Sequence, residues 1–121
     1  MFGRPRRGSL PRNAAPRWGF AIVVGDSMTP TLRPGDRLLV SYRRVARPGD
    51  LVLARFADGT LAVKRAAERR TTRSGAAGWW LLSDNPEGGV DSRHRGPVSD
   101  DEVLAVVLRR VWPLAGVTRR L

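Results

Sequence analysis

VVGDSMTPTL, residues 23–32, ends an apolar run that begins at Phe20 and breaks at Gly25, Asp26 and Ser27, with Met28 directly behind. A strand that stops in a small hydroxyl residue and then places an apolar side chain next to it has two readings. One is a plain Gly-Asp turn between strands. The other is a turn shaped to hold a serine at the surface while Met28 anchors it from below. A serine hydroxyl is a poor nucleophile until a base takes its proton, so the second reading requires a partner elsewhere in the chain.

Working outward, the same alternation of short apolar runs and turn signals continues. Residues 18–24 read as a strand ending at Gly25. RPGD occurs at 33–36 and again at 47–50, and Pro-Gly fits the central positions of a type II turn. Each copy launches an apolar run, 38–42 and then 51–56. Asp58-Gly59 is a hairpin signal, with 60–66 as the returning strand. Residues 68–78 read as a polar loop, 79–82 as a strand, and 83–98 as a long irregular stretch. Ser99 to Glu102 has the form of a capping box, so one helical turn is expected there, followed by a strand from Val103. The pattern predicts one small, mainly β domain of barrel or sandwich type over 18–121. Within it, Trp79-Trp80 should place one ring in the core and one at the surface.

Composition excludes several chemistries. The chain has 121 residues, no Cys and one His, which leaves no thiolate or multi-His metal site and no disulfide framework; no cofactor is expected. No apolar run approaches the roughly 20 residues of a membrane span, so a cytoplasmic protein is expected. The formal charge is +11. Residues 1–17 contribute five Arg, three Pro and no acid, the composition of a disordered tail. Such a tail allows weak, salt-sensitive contact with anionic membrane. The remaining basic residues are scattered, without interleaved aromatics, so no dedicated nucleic-acid site is expected.

Basic composition also supplies the missing partner. Of the 22 basic residues one alone is Lys, Lys64 in TLAVKRAA. Lys loses its proton when desolvated, whereas Arg does not. Lys64 follows Leu61, Ala62 and Val63 on an expected strand, a setting that lowers an ammonium pKa, and neighbouring Arg65 should push the same way. A neutral amine can serve as base to a serine, and Ser–Lys pairs are a variant of the Ser-His-Asp arrangement.

Four blocks, GDSMTPTLRPGDRLLV, RPGDLVLARF, LAVKRAAE and SDNPEGGVDSRHRGPV, together resemble the type I signal peptidase family in order and spacing over about residues 20–113. The resemblance implies a small coiled β-barrel of the kind shared with LexA-type domains, Ser27 as nucleophile and Lys64 as general base. It also implies that the Ser27 amide helps to form an oxyanion hole, with Gly25, Asp26 and Met28 close to the substrate. Asp91 and Arg93 resemble the family's structural ion pair, with Asn85 and Ser92 in the supporting loop. Gly25 stands where some members carry a second oxyanion hydroxyl. Gly89 stands where many carry a hydroxyl that bonds the Lys. Neither a membrane anchor nor the large accessory insertion is evident, and the likeness is greatest to the compact members that mature nickel-type superoxide dismutase. That likeness implies a precursor protein, the nickel superoxide dismutase proenzyme, as partner. Competing expectations are a LexA- or UmuD-like self-processing regulator and a non-catalytic basic binding module. Self-processing of that type cuts at Ala-Gly or Cys-Gly, and neither pair occurs before Ser27. His94 reads as a loop or surface residue.

Overall fold

A computed structural model of the chain describes residues 16–113. The expected tail lies outside the described residues as far as position 15. Arg17 is tied to the fold, its carbonyl accepting a hydrogen bond from the Tyr42 amide at 3.0 Å.

Seven strands form one curled antiparallel sheet, a half-barrel, in the order β1-β2-β7-β3-β4-β5-β6. They are β1 (Trp18–Ile22), β2 (Arg37–Ser41), β3 (Leu51–Arg55), β4 (Leu61–Thr71), β5 (Ala77–Leu82), β6 (Val98–Ser99) and β7 (Val103–Trp112), with a short helix α1 (Ser92–Arg95) before β6. The mainly β class and the coiled-barrel character agree with the sequence reading. The central strands are apolar on both faces because both are covered. Val52, Ala54, Ala66, Leu81 and Val106 pack with Trp79 in one cluster. Leu51, Leu38, Val40, Ala105 and Val107 pack with Met28 and Leu32 in the other. Alternation along β3 and β7 sends neighbouring side chains to opposite clusters.

Several boundaries differ from the sequence reading for identifiable reasons. Strand β1 ends at Ile22, not at 24, because Val23 pairs with the first RPGD turn: its amide donates to the Asp36 carbonyl and its carbonyl accepts from Gly35, each at 2.8 Å. That turn is closed by the Asp36 carboxylate, which accepts from the Arg33 amide at 2.9 Å. Gly35 takes φ +90 and Gly49 +94, the positive values that the third position of a type II turn requires.

The largest difference is at 68–78, where strand occupies 68–71 and 77–78 and the expected loop is confined to 72–76. β4 runs to Thr71 and turns tightly into β5. Polarity here marks a solvent-facing hairpin: Arg69 and Arg70 lie over the rings of Trp79 and Trp80 at 4.8 and 4.4 Å, covering the aromatics with guanidinium. Trp79 is buried and Trp80 half-buried. The ladder slips by one residue between Ala66 and Glu68, so that Arg69 faces Trp79 but Arg65 faces Leu82. Ala67 is the extra residue of this bulge.

At 99–102 the helical turn is present as a 3-10 turn over Asp100–Glu102, but Ser99 makes no side-chain cap bond, so the expected capping box does not form. The stretch 83–98 contains instead a capped helix, α1. Its N-cap is Asp91, whose carboxylate accepts from the Arg93 amide, while His94 Nδ1 accepts from the Asp91 amide at 3.3 Å.

Candidate active site

The site lies where three segments converge: the turn after β1, the middle of β4, and the loop that follows β5. Ser27 sits in a turn closed by hydrogen bonds from the Thr29 amide to the Asp26 carbonyl and from the Leu32 amide to the Met28 carbonyl. Met28 is 1 % exposed. It pins that turn to the core beneath, which leaves Ser27 half-exposed above it.

Three consecutive residues, Ser83, Asp84 and Asn85, staple this turn to β4. The Asn85 amide donates to the Ser27 carbonyl at 2.8 Å, and its side-chain amide donates to the Asp26 carbonyl at 3.1 Å and to Thr29 Oγ1 at 3.2 Å. The Asp84 carboxylate takes a bidentate pair from Arg65, at 2.9 and 2.7 Å, and accepts from Thr31 Oγ1 at 2.6 Å. Ser83 Oγ accepts from Lys64 Nζ at 2.9 Å. One short segment therefore touches both the Ser27 turn and the strand that carries the amine.

Lys64 is 2 % exposed. It is paired with Val52 across β3 and β4, on the face that also carries Ala66 and Ala54. Burial lowers its pKa from the ordinary lysine value; Asp91 opposes this and Arg93 adds to it. The Arg65 contribution expected from sequence is replaced by that of Arg93. Alternation turns Arg65 to the other side of β4, where Asp84 engages it.

Asp91 is fully buried. It accepts from the Ser83 amide at 2.8 Å, and from Arg93 Nε and a terminal nitrogen at 3.0 and 2.7 Å. Burial pushes its carboxyl up, but these bonds from Arg93 and the Ser83 amide outweigh it and hold the group well below the usual carboxylate range. Ser92 Oγ accepts from the Leu81 amide at 2.8 Å, so Asp91 and Ser92 together fasten α1 along β5. His94 is exposed on α1, away from any role as base to Ser27.

A cleft of about 260 Å³ opens between Gly25, Asp26, Ser27, Lys64 and Gly89. An apolar groove of about 370 Å³, lined among others by Ile22, Val24, Leu61 and Val63, meets it at Ser27. Gly89 roofs the pair: a Cβ there would lie 2.9 Å from the Ser27 Cβ and 3.5 Å from Lys64 Nζ. Among the described residues no hydrogen bond joins Lys64 Nζ to Ser27 Oγ. The amine is held by Ser83 instead. Of the residues singled out from sequence, Ser27, Lys64, Gly25 and Asp26 line the cleft and Met28, Asn85, Asp91, Ser92 and Arg93 brace it. Ser83 and Asp84 were not singled out. No sequence signal marks Ser83, because it comes opposite Lys64 only through the register shift between Ala66 and Glu68.

A family model described as Peptidase S24-like matches residues 9–107. The chain belongs to the Peptidase S24-like family. One relative of this S24-like chain is the mitochondrial inner membrane protease subunit 1 of Schizosaccharomyces pombe, 31 % identical over 97 residues, which are 80 % of the chain and 56 % of the relative. The chain thus spans little more than half the length of that protein. Both likenesses are to peptidases, and the S24-like match covers both Ser27 and Lys64. No helix among the described residues is long and apolar enough to cross a membrane.

Proposed function

We propose that this S24-like chain is a serine endopeptidase in which Ser27 is the nucleophile and Lys64 its general base. The observation that carries the reading is a single buried lysine, its pKa lowered by desolvation, facing the same cleft as a serine raised on a braced turn. Burial favours the neutral amine that base catalysis requires. Ser27 Oγ attacks the scissile carbonyl carbon as its proton passes to Lys64 Nζ. The tetrahedral intermediate then collapses, the C–N bond breaks, and the departing amine takes that proton. Water attacks the resulting ester, delivering one proton to Lys64. As the ester C–O bond breaks, Lys64 Nζ passes that proton to Ser27 Oγ, which restores the hydroxyl and the neutral amine and releases the carboxylic acid. The Ser27 amide is the oxyanion donor.

The apolar groove along Ile22, Val24, Leu61 and Val63 suits an extended substrate segment with apolar side chains, lying beside the free edge of β1. A precursor with a removable amino-terminal extension fits such a groove, and the nickel superoxide dismutase proenzyme is the substrate to test first. Co-expression with that precursor, followed by mass measurement of its amino terminus, is expected to show processing by the wild type and none by Ser27→Ala. Undiminished processing by a folded Ser27→Ala variant overturns the nucleophile assignment. Wild-type protein that leaves the proenzyme intact but cuts another precursor overturns only the substrate.

A further inference from the structure

We infer that Ser83 is the positioning residue of the general base, its hydroxyl aiming the Lys64 amine at Ser27 in place of the hydroxyl that residue 89 lacks. The inference rests on the Ser27–Lys64 reading above. A neutral amine has two N–H bonds and one lone pair, and only the lone pair can receive the serine proton. Four rotatable bonds leave a lysine amine free to turn unless something fixes it. Ser83 Oγ does so at 2.9 Å, and this contact is buried, with Ser83 itself 7 % exposed. With one N–H committed to Ser83, the lone pair and the second N–H are confined to the remaining directions, which include the cleft shared with Ser27.

Ser83 is in turn held from behind, because its amide donates to the buried Asp91 carboxylate at 2.8 Å. Gly89 completes the arrangement from the opposite side. Its missing side chain would start 2.9 Å from the Ser27 Cβ, so a hydroxyl-bearing residue at 89 would displace the nucleophile in this cleft. The hydroxyl at 83 and the glycine at 89 are therefore complementary. The charged groups around the amine are Asp91 and Arg93 on the α1 side and Asp26 on the Ser27 turn, with Asp58 and Arg95 further along the same cleft, paired with each other at 3.1 Å.

The test compares wild type, Ser83→Ala and Ser83→Thr as full-length protein, using a processed precursor across pH. Loss of the positioning bond in Ser83→Ala is expected to lower kcat about 100-fold, the cost of a small misplacement of a reacting group, with KM nearly unchanged. The protonated amine loses an acceptor, so the acid limb of the pH–rate profile should move to lower pH. Ser83→Thr keeps a hydroxyl and should recover most of kcat and the original limb. Labelled lysine marks Lys64 alone, so its NMR titration gives a second readout without turnover. The midpoint should fall in Ser83→Ala and return in Ser83→Thr. Wild-type kcat and an unmoved Lys64 midpoint in Ser83→Ala, with Ser27→Ala inactive, overturn the role of Ser83 and leave the dyad standing. Activity in both Ser27→Ala and Lys64→Arg overturns the dyad itself. Should Ser83→Ala fail to fold, Ser83→Thr decides alone: a wild-type midpoint and rate support the role, and a rate lost with the midpoint unmoved overturns it.

Discussion

Lys64→Met is expected to abolish peptidase activity and to raise thermal stability in the same protein. Removing the base should cost at least about 10⁴-fold in kcat, as loss of one member of a catalytic unit does. Lys64→Arg should be equally inactive, because a guanidinium keeps its proton at any working pH. The stability gain follows from the direction of the Lys64 shift. Its folded-state pKa lies below the ordinary 10.5, because burial opposes the charge. The penalty is therefore full below the folded-state pKa and is relieved as pH rises from there towards 10.5. Methionine has similar length, no charge and enough flexibility to fill the same space. At pH 7 the variant should melt about 5 °C above wild type, equivalent to roughly 1 kcal/mol in a domain of this size. The gap should close as pH approaches that of free lysine. Calorimetric melts of both proteins from neutral to alkaline pH check this, and a variant that melts below wild type at pH 7 would sink the account of Lys64 as a strained, desolvated amine.

Asp91→Ala should have the largest effect on folding. Three things fail together: the buried Ser83 amide loses its acceptor, helix α1 loses its cap, and Arg93 loses its partner. An unsatisfied buried amide costs about 1–3 kcal/mol and a lost cap about 1 kcal/mol. Arg93 is 41 % exposed on its side chain and can turn to water, so its share is small. The sum, about 3 kcal/mol, corresponds to a melting point lower by roughly 10 °C or more. Activity should fall as well, since Ser83 no longer holds its place beside Lys64. The same carboxylate predicts acid lability in the wild type. Its folded-state pKa is held below the ordinary 3.8, so its stabilisation is complete above that pH and is lost as pH falls through the folded value. Because the loss begins only near 3.8 and is completed towards the folded value, denaturant melts at pH 7 and pH 2 should show a larger difference for wild type than for Asp91→Ala, with little of it developed at pH 3.

The mainly β architecture was legible because Pro-Gly and Asp-Gly turns alternate with short apolar runs from Trp18 onward. The candidate pair was legible for a different reason: a composition with a single lysine marks that lysine. What escaped the sequence was contact between elements. ERRTTRSG reads as loop until the Trp rings beneath Arg69 and Arg70 are known. Ser83 was hidden more deeply. Counting back from the hairpin turn with the pairing of Arg69 to Trp79 places residue 84 opposite Lys64. Only the slip between Ala66 and Glu68 brings residue 83 there. Arg65, credited from sequence with raising the local positive potential, is neutralised by Asp84 for the same topological reason.

That slip decides what kind of group the lysine is. With Ala67 bulged out, an uncharged hydroxyl faces the amine and the carboxylate of Asp84 is spent on Arg65. In a ladder without the bulge, the next residue along would stand opposite, and an aspartate there would clamp the amine as a permanent ammonium. The fold would keep its sheet, its turn and its serine, yet the lysine would be a structural cation with no proton vacancy to offer. Under the proposed role of Lys64, one unpaired alanine is thus the difference between a latent ion pair and a proton acceptor. It makes the register of a hairpin, rather than the identity of any reacting side chain, the point at which this architecture can be silenced.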